Sequence, residues 1–194
     1  MKKIILNLLL LLLIPVLAEA NYLKVIGGLT SSKNDFVGFK NESKLTLTGG
    51  VGIETGALRS RFNAEVLFSY EDVTLDVNGS LNKYRFVKLT MPLLFKYKFQ
   101  EFNFPYAVIG GAGTIIFADS LAENGKTNAL FDFSIVIGVG MEIDLVNKKK
   151  LGDENYKWST LIIEGRYQTG LKNLTLDERK FKTSSLYILF GVKF

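Results

Sequence analysis

The acid–base chemistry open to this chain rests on carboxylates and amines. Its 194 residues hold 19 Asp and Glu and 24 Lys and Arg, with no His and no Cys. Without His the commonest general base and metal ligand is missing. Without Cys there is no disulfide framework, no thiolate metal site and no lipid-modified N-terminal Cys. The charges that remain recur at alternate positions: Glu54, Glu65, Glu142, Asp144 and Glu164 among the acids, Arg61, Lys96, Lys98, Arg166 and Lys193 among the bases. Such a set can act as paired acids and bases, or it can neutralise itself as an ion-pair network. The second reading explains the residues without catalysis, so no enzymatic activity, catalytic residue, cofactor or metal is expected.

Two glycine motifs invite a different chemistry. Gly50-Val51-Gly52-Ile53-Glu54 and Gly138-Val139-Gly140-Met141-Glu142 are near-repeats. A Gly-x-Gly pair binds phosphate when it opens a helix after a strand. Here each lies inside a strand pattern, so its role is architectural: glycine makes room on one face, and the following Glu shares that face.

The elements that position these residues are strands. From Phe131 to Leu145 every second residue is large and apolar (Phe131, Phe133, Ile135, Ile137, Val139, Met141, Ile143, Leu145), and nearly all the intervening ones are small or charged. A period of two marks a strand with two unlike faces. The same alternation predicts eight strands, near Tyr22–Thr30, Lys44–Glu54, Arg61–Glu71, Val87–Phe99, Tyr106–Phe117, Phe131–Leu145, Trp158–Thr169 and Ser185–Phe194. The phase of Tyr106–Phe117 is ambiguous, and the first strand is short and broken by glycine. Connections fall near Ser31–Ser43, Thr55–Arg59, Thr74–Lys83, Gln100–Asn103, Ala118–Ala129, Val146–Lys157 and Gly170–Ser184. Longer and shorter ones mostly alternate; Val146–Lys157 is long where a short turn is due.

Ahead of the strands, Lys2 and Lys3 precede an apolar run from Ile4 to Leu17, and Ala18-Glu19-Ala20 follows as a small-x-small cleavage site. This predicts a secretory leader over residues 1–20 and a mature domain over 21–194. The run is short for a membrane-anchoring helix, which needs ~20 apolar residues. The mature part keeps a mild positive excess and no basic cluster beyond Lys148-Lys149-Lys150, which gives nucleic-acid binding no support.

Eight long strands predict an antiparallel up-and-down barrel. A soluble lipocalin-like ligand binder would turn the apolar face inward. Three features turn it outward, to lipid. The polar face carries Gly50, Gly52, Gly138, Gly140 and Gly191, which suits the narrow interior of eight strands. The aromatics Tyr70, Phe95, Tyr97, Phe99, Phe131, Tyr167 and Phe194 lie towards strand ends, where interfacial girdles sit. The sequence ends on an apolar-face residue: Phe190, Val192 and Phe194 form a terminal pattern of the kind that outer-membrane assembly machinery reads. The expectation is a monomeric transmembrane barrel in the bacterial outer membrane. Its lumen is expected to hold Glu54, Arg61, Glu65, Lys96, Glu142, Glu164, Arg166 and Lys193 as a charge network, with Glu54 and Arg61 paired across the second hairpin.

Several segments also carry a family likeness. They are Met91-Pro92-Leu93-Leu94-Phe95-Lys96-Tyr97, Pro105-Tyr106-Ala107 with Gly110-Gly111, Phe131-Asp132-Phe133 leading to Gly138-Val139-Gly140-Met141-Glu142-Ile143, and Glu164-Gly165-Arg166-Tyr167 with Gly170-Leu171. In these the chain resembles the PorT-like outer-membrane β-barrel family of Gram-negative bacteria, most strongly from Tyr84 onward. The resemblance implies the barrel and its location, and no shared catalytic residues. The function expected is structural or surface-interacting, with outer loops meeting partners; the alternative is a narrow channel for small solutes.

Overall fold

The computed structural model describes residues 22–36, 44–56, 59–77, 80–99, 105–120, 127–145, 160–171, 174–176 and 179–194. The expected leader and the long Val146–Lys157 connection lie outside them. The strands are β1 (Tyr22–Phe36), β2 (Lys44–Gly56), β3 (Ser60–Val77), β4 (Ser80–Lys98), β5 (Pro105–Ser120), β6 (Thr127–Asp144), β7 (Thr160–Gly170), β8 (Leu174–Leu176) and β9 (Arg179–Lys193). Seven strands pair antiparallel in chain order, β7 passes to β9, and β9 returns to β1. The wall is therefore a closed eight-stranded barrel. The three-residue β8 is an added strand on β9, in register at Leu174↔Phe181. Closure leaves no unpaired wall edge, which a hydrocarbon environment demands.

Alternation dictates the two faces. On β6, Phe133, Ile135, Ile137 and Val139 are exposed, with Val139 at 66%, while Asp132, Ser134, Val136 and Glu142 are buried, with Val136 at 2%. The same outward apolar set continues through Val25 and Leu29 on β1, Leu47 and Val51 on β2, Phe62, Val66 and Phe68 on β3, and Ile188 and Phe190 on β9. In water this belt would be an uncompensated hydrophobic surface. The soluble, lipocalin-like alternative is overturned here, because the apolar face is outside and the charged face inside. The seven aromatics read as girdle residues are all exposed.

Four expected connections at one end contain strand instead. β1 runs on to Phe36, β3 and β4 approach each other as far as Val77 and Ser80, β5 reaches Ser120 and β6 begins at Thr127, and β9 begins at Arg179 with β8 paired to it. Past the apolar band, outward positions become polar and the period-two signal fades. The backbone ladder needs no such signal and continues. These extensions rise at one end of the barrel. At the other, Leu23 and Phe194 exchange backbone hydrogen bonds of 3.1 and 2.9 Å, so β1 and β9 close there. The β2–β3 turn also sits at that end. Gly56 enters it at φ 127°, a conformation open to glycine alone.

Candidate functional site

The site is the lumen. Inward positions on the wall strands bring charged side chains into it in two layers, and the glycines between them decide what fits. Near the closed end, Glu54 of β2 and Glu142 of β6 face each other across the barrel. Lys96 of β4 contacts both, with its Nζ 3.0 Å from Glu54 Oε2. Lys193 of β9 bridges the same two at 3.1 and 2.7 Å. Arg61 donates to Glu54 at 2.5 Å, and Lys98 to Glu142 at 2.8 Å. Four cations thus surround two carboxylates. The Tyr22 ring covers the layer from below, 4.9 Å from the Arg61 guanidinium carbon and 4.7 Å from Lys193 Nζ.

A second layer lies nearer mid-barrel. Glu65 of β3 accepts two hydrogen bonds from Arg166 of β7, one of 2.7 Å, and pairs with Lys24 of β1. Arg166 also pairs with Glu164, which accepts the Tyr106 hydroxyl at 2.5 Å. The Tyr106 ring lies 4.1 Å from Lys96 Nζ, so this one side chain joins the layers. Its place exists because of glycine: a Cβ on Gly140 would lie 2.5 Å from Tyr106 Cζ and Oη. Gly52 does the same for the other wall, where a Cβ would lie 2.7 Å from Glu65 Cγ and 2.9 Å from Lys24 Cε.

Above these layers the interior turns to neutral polar groups and single pairs. Gln168 donates to Ser134 at 2.8 Å and to Thr114 at 3.3 Å, Lys88 pairs with Glu71 at 2.7 Å, and Thr183 donates to Asp132. Apolar side chains fill the gaps. Leu94, Val108, Val136 and Ile162 pack with Tyr106, and Ile26, Leu67 and Leu189 pack with Tyr187. Among the described residues a few buried atoms have no protein partner, namely Thr30 Oγ1, both side-chain polar atoms of Asn63, and Asp132 Oδ1.

The eight charges singled out from sequence therefore all point inward, and each has an oppositely charged neighbour. They fall into two groups: Glu54, Arg61, Lys96, Glu142 and Lys193 in one, Glu65, Glu164 and Arg166 in the other. Asp144, also read as interior, is half-buried and accepts the Thr160 hydroxyl at 2.9 Å. Phe190, Val192 and Phe194 lie on the outward face of β9, Phe190 and Phe194 exposed and Val192 half-buried. Sequence reasoning missed Lys24, Tyr106, and the Glu71–Lys88 pair. Lys24 shares a phase with Tyr22 and Ile26, a signal blurred by Gly27 and Gly28. Tyr106 sits on the strand whose two faces are both apolar. Among the described residues no three His, Cys, Asp or Glu side chains gather to hold a metal ion.

The geometry is that of a membrane barrel with ion pairs in its lumen, and known proteins share the barrel. The sequence matches the outer membrane protein beta-barrel domain family over residues 24–176. Ail, the attachment invasion locus protein of Yersinia pestis, superposes with a TM-score of 0.51 at 12% identity, covering 91% of this chain and 99% of that one. Neisserial surface protein A (NspA) gives 0.52 at 12% identity, over 88% and 95%. Outer membrane protein OprG from Pseudomonas aeruginosa gives 0.51 at 15% identity, over 91% and 97%. Identities this low speak for a shared fold alone. No curated protein matches the chain by sequence. With its family match spanning most of its length, the chain belongs to the outer membrane protein beta-barrel domain family and is a protein of the bacterial outer membrane.

Proposed function

We propose that this is a non-enzymatic structural or surface-interaction barrel of the PorT-like kind, closed at rest by its lumen charges. The observation that carries the closed lumen is the double bridge of Lys96 and Lys193 between Glu54 and Glu142, which spans the bore from β2 to β6. Eight strands leave an interior just wide enough for side chains, and here both layers and the apolar clusters occupy it. In this reading residues 1–20 are a leader removed on export, the monomer is delivered by the outer-membrane assembly machinery through Phe190, Val192 and Phe194, and the termini face the periplasm. The extended ends of β1, β3, β4 and β9 then stand outside with the loops, where they meet partners. Ail has been solved in complex with the heparin analogue sucrose octasulfate, a precedent for recognition of a partner molecule on this fold. The test is planar-bilayer recording of the purified barrel: little or no steady conductance is expected, and a large stable conductance overturns the closed lumen.

A narrow solute path is the second reading. It is favoured by the buried Asn63, Thr30 and Asp132 atoms that lack protein partners, since such groups call for water inside the bore. The same recording decides between the two.

A further inference from the structure

The lipid face is interrupted where two outward glycines pair across neighbouring strands. Gly27 of β1 and Gly49 of β2 are register partners, and both face outward. Gly27 is also in register with Phe190 of β9, and Gly49 with Phe68 of β3. Across four strands the row reads Phe190, Gly27, Gly49, Phe68: two rings flanking two bare backbones. The result is a groove of about 650 Å³, bounded towards the extended end by Leu29, Leu47 and Tyr70.

The barrel does not need glycine at these two positions. A Cβ on Gly27 would lie 3.8 Å from the Thr48 carbonyl oxygen, and one on Gly49 3.6 Å from that of Ile26, both ordinary contacts. The neighbouring Gly28 and Gly50 differ, since a Cβ on either would overlap the backbone of Ile188 or Val66. Glycine weakens a strand interior, and one use of it there is to let another group come close. What the outward pair leaves open is a furrow continuous with the bilayer-facing belt.

The furrow runs towards a cation. Outward residues on β1 change from Leu29 through Ser31 to Lys33, and on β9 from Leu186 through Ser184 to Lys182. Six residues separate Gly27 from Lys33. At ~3.3 Å each and a tilt of ~45° they rise ~14 Å, about half of a ~25 Å apolar band. Lys33 is therefore at headgroup height, and its side chain is exposed. It stands on the strand that carries Gly27 and shares its outward phase, in line with the groove.

We propose that this groove is a lipid-binding site: it seats one acyl chain of an anionic phospholipid-type lipid between Phe68 and Phe190, with the headgroup phosphate at Lys33. The site is independent of whether the lumen conducts. Its test is native mass spectrometry of the full barrel released from vesicles of equal phosphatidylglycerol and phosphatidylcholine. The wild type should retain one phosphatidylglycerol. Lys33→Ala should lower the preference for it about five-fold, the equivalent of about 1 kcal/mol for one cation at an anionic surface. Gly27→Leu with Gly49→Leu should abolish retention, while Gly113→Leu should not; Gly113 faces outward on β5, across the barrel, with nothing within 4 Å of an added Cβ. Where the double leucine variant fails to fold, Leu47→Trp in a Trp158→Phe background reads the groove with its glycines intact. Brominated phosphatidylglycerol must then quench that tryptophan more strongly than brominated phosphatidylcholine. Equal retention or equal quenching by the two lipids overturns the proposal. So does a filled-groove variant that keeps its lipid, or a dimer mass in place of the lipid adduct, which would make a second copy the occupant.

Discussion

Neutralising Glu54 should unbalance the lower charge layer without changing its shape. Glu54 accepts contacts from Arg61 at 2.5 Å, Lys96 at 3.0 Å and Lys193 at 3.1 Å, and it is fully buried. With Lys98 included, four cations share Glu54 and Glu142; Glu54→Gln leaves four on Glu142 alone. Removing one partner of a buried pair costs about 3–5 kcal/mol, because the remaining charge stays in a poor solvent. That is the expected loss if the lumen stays dry, read by urea titration of the vesicle-embedded protein from its folded and unfolded gel mobilities. If water enters, the loss shrinks and an ion leak appears in planar bilayers, so the two measurements are read together. The sign can be isolated by adding Lys193→Met. Lys193 bridges both acids, so removing it in the Glu54→Gln background should restore stability, with a coupling within the ~0.5–3 kcal/mol found for residues in contact. A Glu54→Gln barrel within ~0.5 kcal/mol of wild type, with no leak and no coupling to Lys193, would refute the view that this layer holds the bore shut.

Three further outcomes are expected. Ile137 is 51% exposed on the lipid face of β6, so Ile137→Arg should lower stability by ~2–4 kcal/mol in lipid-vesicle folding titrations if the side chain lies near the bilayer midplane; a negligible loss would contradict the outward assignment. Gly140→Ala should force a methyl against the Tyr106 ring and cost about 1–3 kcal/mol. The same titration should show the loss relieved in part in a Tyr106→Leu background, the Ile163 carbonyl oxygen at 2.8 Å from the added Cβ being the contact that stays. Deleting Phe194 should reduce outer-membrane levels in cells while refolding into detergent stays largely intact; unchanged cellular levels would remove the proposed assembly role of the terminal strand.

What could be read from the sequence depended on how unlike the two faces of each strand are. On β6, large apolar residues alternate with Asp132, Ser134, Gly138, Gly140 and Glu142, and the phase follows at once. On β5, Tyr106, Val108, Ala112 and Ile116 point into the lumen while Ile109 and Phe117 face lipid. Both faces are apolar, so no period could assign them, and the tyrosine that joins the charge layers stayed hidden. Strand ends were illegible for another reason. The hairpin of β3 and β4 beyond the bilayer band is held by backbone pairing from Thr74↔Lys83 to Val77↔Ser80. That ladder places no demand on side-chain type. The pair Glu54–Arg61 was visible because a short hairpin sets its register. Lys24–Glu65 joins the strands on either side of β2, a relation set by the row Lys24↔Gly52↔Glu65, in which the glycine leaves the gap that the two side chains bridge.

Glycine and charge act together in this lumen. A narrow barrel cannot hold long side chains from every strand at one height, so bulk on one wall requires its absence on another. Gly140 yields to Tyr106, and Gly52 yields to Lys24 and Glu65. Tyr106 then lies over Lys96 and reaches Glu164, so the volume vacated by one glycine couples two charge layers that would otherwise be separate. Each layer uses residues from several strands, which ties strands distant in sequence by side chains as well as by the backbone ladder. The packing of the interior therefore follows from where side chains are missing as much as from where charges stand. For that reason the two Gly-x-Gly-x-Glu segments are better understood as complementary walls of one lumen than as ligand loops.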